Sequence, residues 1–418
     1  MTLGANGAAP AAPRIAGDGA VRPSARSLRA APERVLANAD LVLDDAVRRG
    51  SVLLRDGAIA AVDTGASVPP GAEDCDGQLL LPGFIELHTD NLERHLMPRP
   101  GVKWPGPAAV LSHDGELAAA GITTVFDAVR VGSLRRASQG KTGADYAKYA
   151  RDVVHDIAAL HQAGLTRIDH RIHLRAEVCS QTVLEEMDEF GPQDGVAIVS
   201  IMDHTPGQRQ FSDLGKFRQY HQGKYGLTDA EMEAHIVFSQ GLYDEFGVAH
   251  EQGIVARARA LGATLASHDD TTAAHVARSV ALSVDFAEFP TTEVAAAACR
   301  AAGIPVMMGA PNVLRGGSHS GNVSAMHLAE VGLLDVLSSD YAPSALLLGV
   351  LKLADILGSL PAAVATVTRA PAMATGLADR GRIAPGLRAD LVRVARHGGV
   401  HGGVAAITGV WRAGAQVG

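Results

Sequence analysis

Eight short β-rich runs pass through the middle of the chain, most of them followed by an Ala-rich helical stretch. They read FIELHTD from Phe84, ITTVFDAV from Ile122, RIDHRIHLRAE from Arg167, VAIVSIMDH from Val196, TLASHDD from Thr264, SVDFAEFP from Ser283, IPVMMGAP from Ile304 and VLSSDY from Val336. Repeated β–α alternation implies a parallel sheet covered by helices. Eight units over roughly 300 residues favour a closed (β/α)8 TIM-like barrel over an open doubly wound sheet. No GxGxxG opens a helix after the first run and no GxxxxGK[ST] occurs, so nucleotide-binding folds lose ground.

The flanks differ from the middle. RVLANADLVL, SVLLRDGAIAAVD and GQLLLPG near the start, and GRIAPGLRADLVRVA and GVAAITGVWRAGAQV near the end, alternate β-formers with turn signals. Residues 34–82 and 381–418 are therefore expected to close one small β-sandwich, with the barrel spanning residues 83–380. Residues 1–33, rich in Ala, Gly, Pro and Arg and without the apolar core of a secretory signal, read as a disordered tail.

Composition narrows the function classes. Acidic residues (45) exceed basic ones (37), a net charge of −8, which argues against nucleic acid or an anionic membrane as partner. Three cysteines, Cys75, Cys179 and Cys299, draw neither a disulfide framework nor a zinc spacing, and a reducing cytoplasm is the expected compartment. The most apolar stretch, Leu346–Leu357, is interrupted by Lys352 and Asp355 at amphipathic-helix spacing.

Polar, metal-competent side chains collect at the strand ends, where a barrel places its active site. His88 and Asp90 are two apart in the first run and point to one face, and His173, Arg175 and Glu177 repeat that spacing in the third. His204, His268 and Asp340 close later runs. A single strand-end His is usually a hydrogen-bonded core or loop residue, and an Asp there is usually a helix cap. Their coincidence at successive strand ends points instead to metal. His88, Asp90, Glu177, His204, His268 and Asp340 make three imidazoles and three carboxylates, which suit two divalent ions bridged by a carboxylate. His170, His173, Asp203 and Asp269 are read as partners that orient those ligands. His275 belongs to the helix after His268, and His155 and His161 receive no role.

These residues resemble the amidohydrolase superfamily: a first-strand HxD, single histidines on two later strands, a last-strand Asp and a terminal sandwich. Asp90 departs from the usual HxH, and Glu177 stands where many members carry a carboxylated Lys. The strings ELHTDNLERHLMPRPGVKWP, HRIHLRAE, MDHTPGQRQF, LASHDD, AEFPTT, MGAPNVLRGGSHSGN and LSSDY resemble one branch, the PhnM family, from about Asn38 to the C-terminus. That family comprises the alpha-D-ribose 1-methylphosphonate 5-triphosphate diphosphatases of the carbon–phosphorus lyase pathway.

The resemblance implies a cytoplasmic hydrolase that releases pyrophosphate and leaves the 5-phosphate, using two divalent metal ions, zinc first and manganese or iron as alternatives. It implies a water made acidic by the cations, with Asp340 as general acid/base. Several negative charges on the substrate call for arginines. Arg99, Arg175 and Arg209 stand beside strand ends, and Arg315 opens the loop Gly316-Gly317-Ser318-His319-Ser320-Gly321-Asn322 after the seventh run, where barrels often hold phosphate. Gly316, Gly317, Ser318, His319 and Asn322 are the expected contacts, the alternative being a surface loop. A homo-oligomer is compatible with this reading. Three other functions share its features: amide hydrolysis on the same metals, a non-catalytic barrel scaffold, and a broader nucleoside-triphosphate diphosphatase.

Overall fold

The computed structural model describes residues 33–99, 101–133, 148–211, 214–318, 321–397 and 404–418. Except for Glu33, the expected tail lies outside these residues, as does His319.

All eight runs form strands of one parallel sheet, in sequence order: Phe84–Thr89, Ile122–Val131, Asp169–Glu177, Val196–Met202, Thr264–His268, Phe286–Glu288, Val306–Gly309 and Val336–Ser338. They are called barrel strands one to eight. The ladder is continuous from one to eight, and a single parallel bridge, Thr89 to Asp340, joins the eighth back to the first. Ile198, Ala266, Phe286, Met307 and Val336 share an apolar cluster with Ile85, Leu87 and Phe126. Two residues further along the same strands stand Ser200, His268, Glu288 and Ser338, so strand periodicity places them on the same face, one layer above that cluster. The pleat thus stacks polar chemistry on an apolar plug at the C-terminal mouth.

Helices cover the outside. Leu346, Leu347, Val350 and Leu353 on helix Ala345–Leu357 are buried with strand residues such as Val306 and Leu337. Helix Asp229–Leu261 connects strands four and five. It opens on a capping box, Thr228 Oγ1 accepting from Glu231 N–H and Glu231 Oε2 from Thr228 N–H, and stops at Gly262 in the left-handed region (φ 67).

The two chain ends build one mixed sheet in the order Ala415–Gln416, Val404–Arg412, Leu391–His397, Leu79–Pro82, Arg34–Val42, Val47–Arg55 and Ala58–Thr64. An antiparallel bridge from Ala58 to Arg388 and a core containing Leu36, Val52, Ile59, Leu80, Leu391 and Trp411 show the sheet wrapping on itself. Asp169, at the start of barrel strand three, accepts from both Arg380 and Arg388 and ties this sheet to the barrel.

Candidate active site

At the centre of the mouth stands a residue the sequence reading passed over, Glu288. Its buried Oε2 accepts from His88 Nδ1 (3.1 Å), His268 Nδ1 (2.9 Å) and Ser200 Oγ (2.9 Å). The two imidazoles stack with centroids 5.5 Å apart, and His173 meets His88 edge-on at 5.0 Å. Burial alone would raise the Glu288 carboxyl, but the charge of His88 and the hydrogen bonds from His268 and His88 hold it well below the usual range. His88 moves the opposite way: burial would lower it, and Glu288 raises it. Burial pushes His173 down to about 3, so it is neutral and donates through Nδ1 to the Leu87 carbonyl (2.8 Å). Phe289, at φ 52, packs its ring edge-to-face on both His88 and His268. A left-handed backbone is rare for so bulky a residue and marks a position held by its surroundings.

Beside this cluster His204 Nδ1 donates to Glu177 Oε2 at 2.5 Å, and the His204 ring lies 5.8 Å from His268. Each partner is shifted toward its charged form against the pull of burial, Glu177 downward and His204 upward. Asp269, at φ 56, brings Oδ2 to 3.3 Å from His268 Nε2. Asp203 is buried below, its carboxyl raised by burial and partly offset by Thr205 and Arg209. Arg209 donates to the His268 carbonyl (2.8 Å) and to Asp270 Oδ1 (2.7 Å), so its side chain buttresses the mouth.

The third part of the mouth joins Asp90, Arg175 and Asp340. Arg175 Nη1 lies 3.6 Å from Asp90 and 3.8 Å from Glu93, and its Nε is buried without a hydrogen bond. Arg130 stands beside it, in register on strand two, with its guanidinium 5.8 Å from the Tyr149 ring. Tyr149 donates to Glu93 at 2.6 Å. Asp340, at φ 54, has its carboxyl pushed up to about 7, first by burial and then by the charge of Asp90, with His88 and Arg175 pulling the other way.

The six expected ligands are thus brought to one mouth, with His173, Asp203 and Asp269 around them. The other expected residues stand apart. His170 lies on the opposite face of strand three from His173, between Asp127 (2.7 Å) and Asp114 of helix Gly106–Ala119 (3.2 Å), and is raised to about 9 by those carboxylates against burial. Arg99 is exposed in a tight bridge to Val102. Arg315 is exposed at the end of helix Ala310–Arg315, which Gly316 closes at φ 78; Gly317 N–H donates to Asn312 O, and Ser318 and Asn322 are half-buried. His275 is near the start of helix Ala273–Ala281, as expected.

No family model matches the chain. A search of curated proteins, however, finds the alpha-D-ribose 1-methylphosphonate 5-triphosphate diphosphatase of Escherichia coli K12, 45% identical over 387 residues, which is 92% of this chain and 100% of that protein. The chain belongs to this diphosphatase family. Among solved structures, the N-isopropylammelide isopropylaminohydrolase of Burkholderia multivorans is similar at TM-score 0.58 and 16% identity, covering 92% of this chain and 98% of that one. The N-acetyl-D-glucosamine-6-phosphate deacetylase of Mycobacterium smegmatis is similar at TM-score 0.55 and 16% identity, covering 92% and 99%. A protein described as an amidohydrolase gives 0.56 at 18%, covering 92% and 98%. At these identities the likeness is one of fold, and the fold is that of the amidohydrolases.

In this member of the diphosphatase family, two groups of donors among the described residues lie close enough to hold a cation: His88, His268 and Glu288, and His204, His268 and Asp269, each with its ligand atoms within 4.8 Å of one another. Glu288 Oε1 and Asp269 Oδ2 are buried without a hydrogen bond. Buried carboxylate oxygens left bare beside imidazoles are costly without a positive partner, so the residues fit divalent metal. Nitrogen and oxygen donors of this kind suit zinc, manganese and iron alike.

Proposed function

We propose that the protein hydrolyses alpha-D-ribose 1-methylphosphonate 5-triphosphate to alpha-D-ribose 1-methylphosphonate 5-phosphate and pyrophosphate. The observation that carries this is the 45% identity to the Escherichia coli diphosphatase across that protein's full length. His88, Asp90, Glu177, His204, His268 and Asp340, with Glu288 among them, would hold two divalent ions, zinc first. Such ions, when bound, acidify water and neutralise phosphoryl charge.

The rest of the chemistry belongs to the chain. Asp340, which the seam brings beside His88 and Asp90, is the residue placed to accept the water's proton and return it to the leaving pyrophosphate. Arg175, held by two contacts longer than 3.5 Å and carrying an unbonded Nε, has hydrogen-bonding capacity left for a phosphoryl oxygen. Arg130, in register beside it, doubles the positive charge at that edge of the mouth. Phe289, edge-on to His88 and His268, gives the imidazoles an apolar wall. Further out, Arg315 with Gly316, Gly317, Ser318, His319 and Asn322 would take the distal phosphates, and Arg99 would face them.

Residues 34–82 and 381–418 are best treated as one domain and 83–380 as the catalytic barrel. Three buried free thiols and the absence, among the described residues, of any helix long and apolar enough to cross a membrane support a cytoplasmic enzyme.

Phosphorus NMR of the purified enzyme with ribose 1-methylphosphonate 5-triphosphate tests the reading. Pyrophosphate should appear in step with the 5-phosphate. Release of orthophosphate alone, or faster turnover of ordinary nucleoside triphosphates, would overturn it.

A further inference from the structure

Barrel strands one and eight are the pair without a ladder. The N–H of Ile85 donates to the Val367 carbonyl and that of Leu337 to the Thr366 carbonyl, so the segment Thr366–Val367 takes up donors that neighbouring strands would otherwise share. Above this gap side chains do the joining. The wholly buried Glu86 carboxylate accepts from His88 N–H (2.8 Å) and Ser338 Oγ (2.7 Å) through Oε1, and from Ser339 N–H (2.5 Å) through Oε2. Thr89 Oγ1 donates to the Asp340 carbonyl at 2.7 Å, and Asp340 N–H donates to Ser338 Oγ at 3.1 Å.

Both ends of this clasp carry site residues. His88 and Asp90 lie on the strand-one side, and Asp340 lies on the strand-eight side. Asp340 also holds a left-handed backbone at φ 54. Such a conformation costs a non-glycine residue free energy and persists only where neighbours over-determine it. The hydrogen bonds that touch its backbone are Thr89 Oγ1 to its carbonyl and its own N–H to Ser338 Oγ, a hydroxyl that in turn bonds Glu86. A carboxyl buried in a barrel strand is itself expensive, so an apolar residue would serve the fold alone more cheaply.

We propose that Glu86 and Thr89 are positioning residues that set Asp340 against His88 and Asp90 across the barrel seam, and so control turnover without touching substrate. The proposal rests on the diphosphatase reading for its activity assay. Thr89→Val removes the hydroxyl at nearly constant shape, Thr89→Ser restores it, and Glu86→Gln weakens the three-donor site. Metal per chain, kcat and KM are measured on each, together with backbone hydrogen exchange at residues 338–342.

Thr89→Val should lose about ten- to a hundredfold in kcat, with KM within about twofold and metal content unchanged. Thr89→Ser should recover most of it, and exchange should rise at the seam in Thr89→Val alone of the two. Glu86→Gln should follow Thr89→Val; if it does not fold, the Thr89 pair decides. A kcat for Thr89→Val within twofold of wild type, whatever its melting temperature, overturns the proposal. If the unaltered enzyme releases no pyrophosphate, the diphosphatase reading fails instead, and unchanged exchange at 338–342 in Thr89→Val would then sink the clasp on its own.

Discussion

The carboxylates of Asp340 and Asp90 face each other across the barrel seam, and their mutual repulsion adds to burial in pushing Asp340 up to about 7. Below that pH the cation-free site keeps a proton on Asp340, and His88 and His204 are raised as well. A cation must displace those protons. Apparent metal affinity should therefore fall by at least about tenfold per pH unit as pH drops from 7 to 5. Calorimetry in buffers of different ionisation enthalpy would count the protons released. Proton-free uptake at pH 6 would contradict this.

Asp340→Asn removes the titrating group while keeping its shape. With metal content matched to wild type, kcat should fall by about 10²–10⁴. Near-native turnover in a fully loaded variant would take Asp340 out of the mechanism.

Glu288 holds His88 and His268 through their Nδ1 atoms, and His268 turns its Nε2 toward Asp269. Glu288→Gln keeps the size but lets only one oxygen accept. Metal affinity should weaken about 10–100-fold, read by competition against a chelating dye. Affinity equal to wild type would mean the imidazoles are oriented by packing alone.

Arg315 is exposed at the edge of a glycine loop, where its fork is open to phosphate. A charge-assisted contact is worth about 1.5–3 kcal/mol, so kcat/KM for Arg315→Ala should fall about ten- to a hundredfold. Arg315→Lys should fall less, because the charge survives and the bidentate geometry does not. Unchanged kinetics in both variants would return this loop to the ordinary surface.

His170 lets pH act on stability. Its folded pKa of about 9 lies above the ordinary 6.5, because Asp127 and Asp114 outweigh burial. A raised pKa stabilises the fold fully below 6.5, and the contribution is lost as pH rises through 9. Denaturant unfolding should show stability declining across pH 6.5–9, by at most about 3 kcal/mol from this group. His170→Gln should remove that slope and cost about 3–5 kcal/mol at pH 6.5, because two carboxylates lose their cation. A flat profile in the unaltered protein would refute the assignment.

The barrel was legible because a period-two run followed by a helical stretch is local information, repeated eight times. His88 and Asp90 were legible for the same reason, two positions apart in one strand. Glu288 was not: Ala-Glu-Phe-Pro closes a strand run with no His or Asp two positions away to mark the acid as part of a site. Only barrel closure, which brings strand one from 200 residues away to join the neighbouring strand five, places both His88 and His268 on its carboxylate. Arg209 shows the converse. Its charge suggested a phosphate contact, and its bonds to His268 O and Asp270 depend on separations of 59 and 61 residues that no pattern announces. Arg130 was hidden by an ordinary position, since its meaning comes from the in-register Arg175 on the next strand.

The terminal sheet has a consequence for how the molecule is made. Leu79–Pro82 pairs on one side with Arg34–Val42, and on the other with Leu391–His397 from the opposite end of the chain. At about 5–20 residues per second, the ribosome leaves that strand waiting roughly 15–60 s for its second neighbour. Through that interval its unpaired backbone is an open edge, able to zip onto another nascent chain. The yield of folded enzyme is then set by a race between translation and edge pairing, one that slower initiation or a bound chaperone would win.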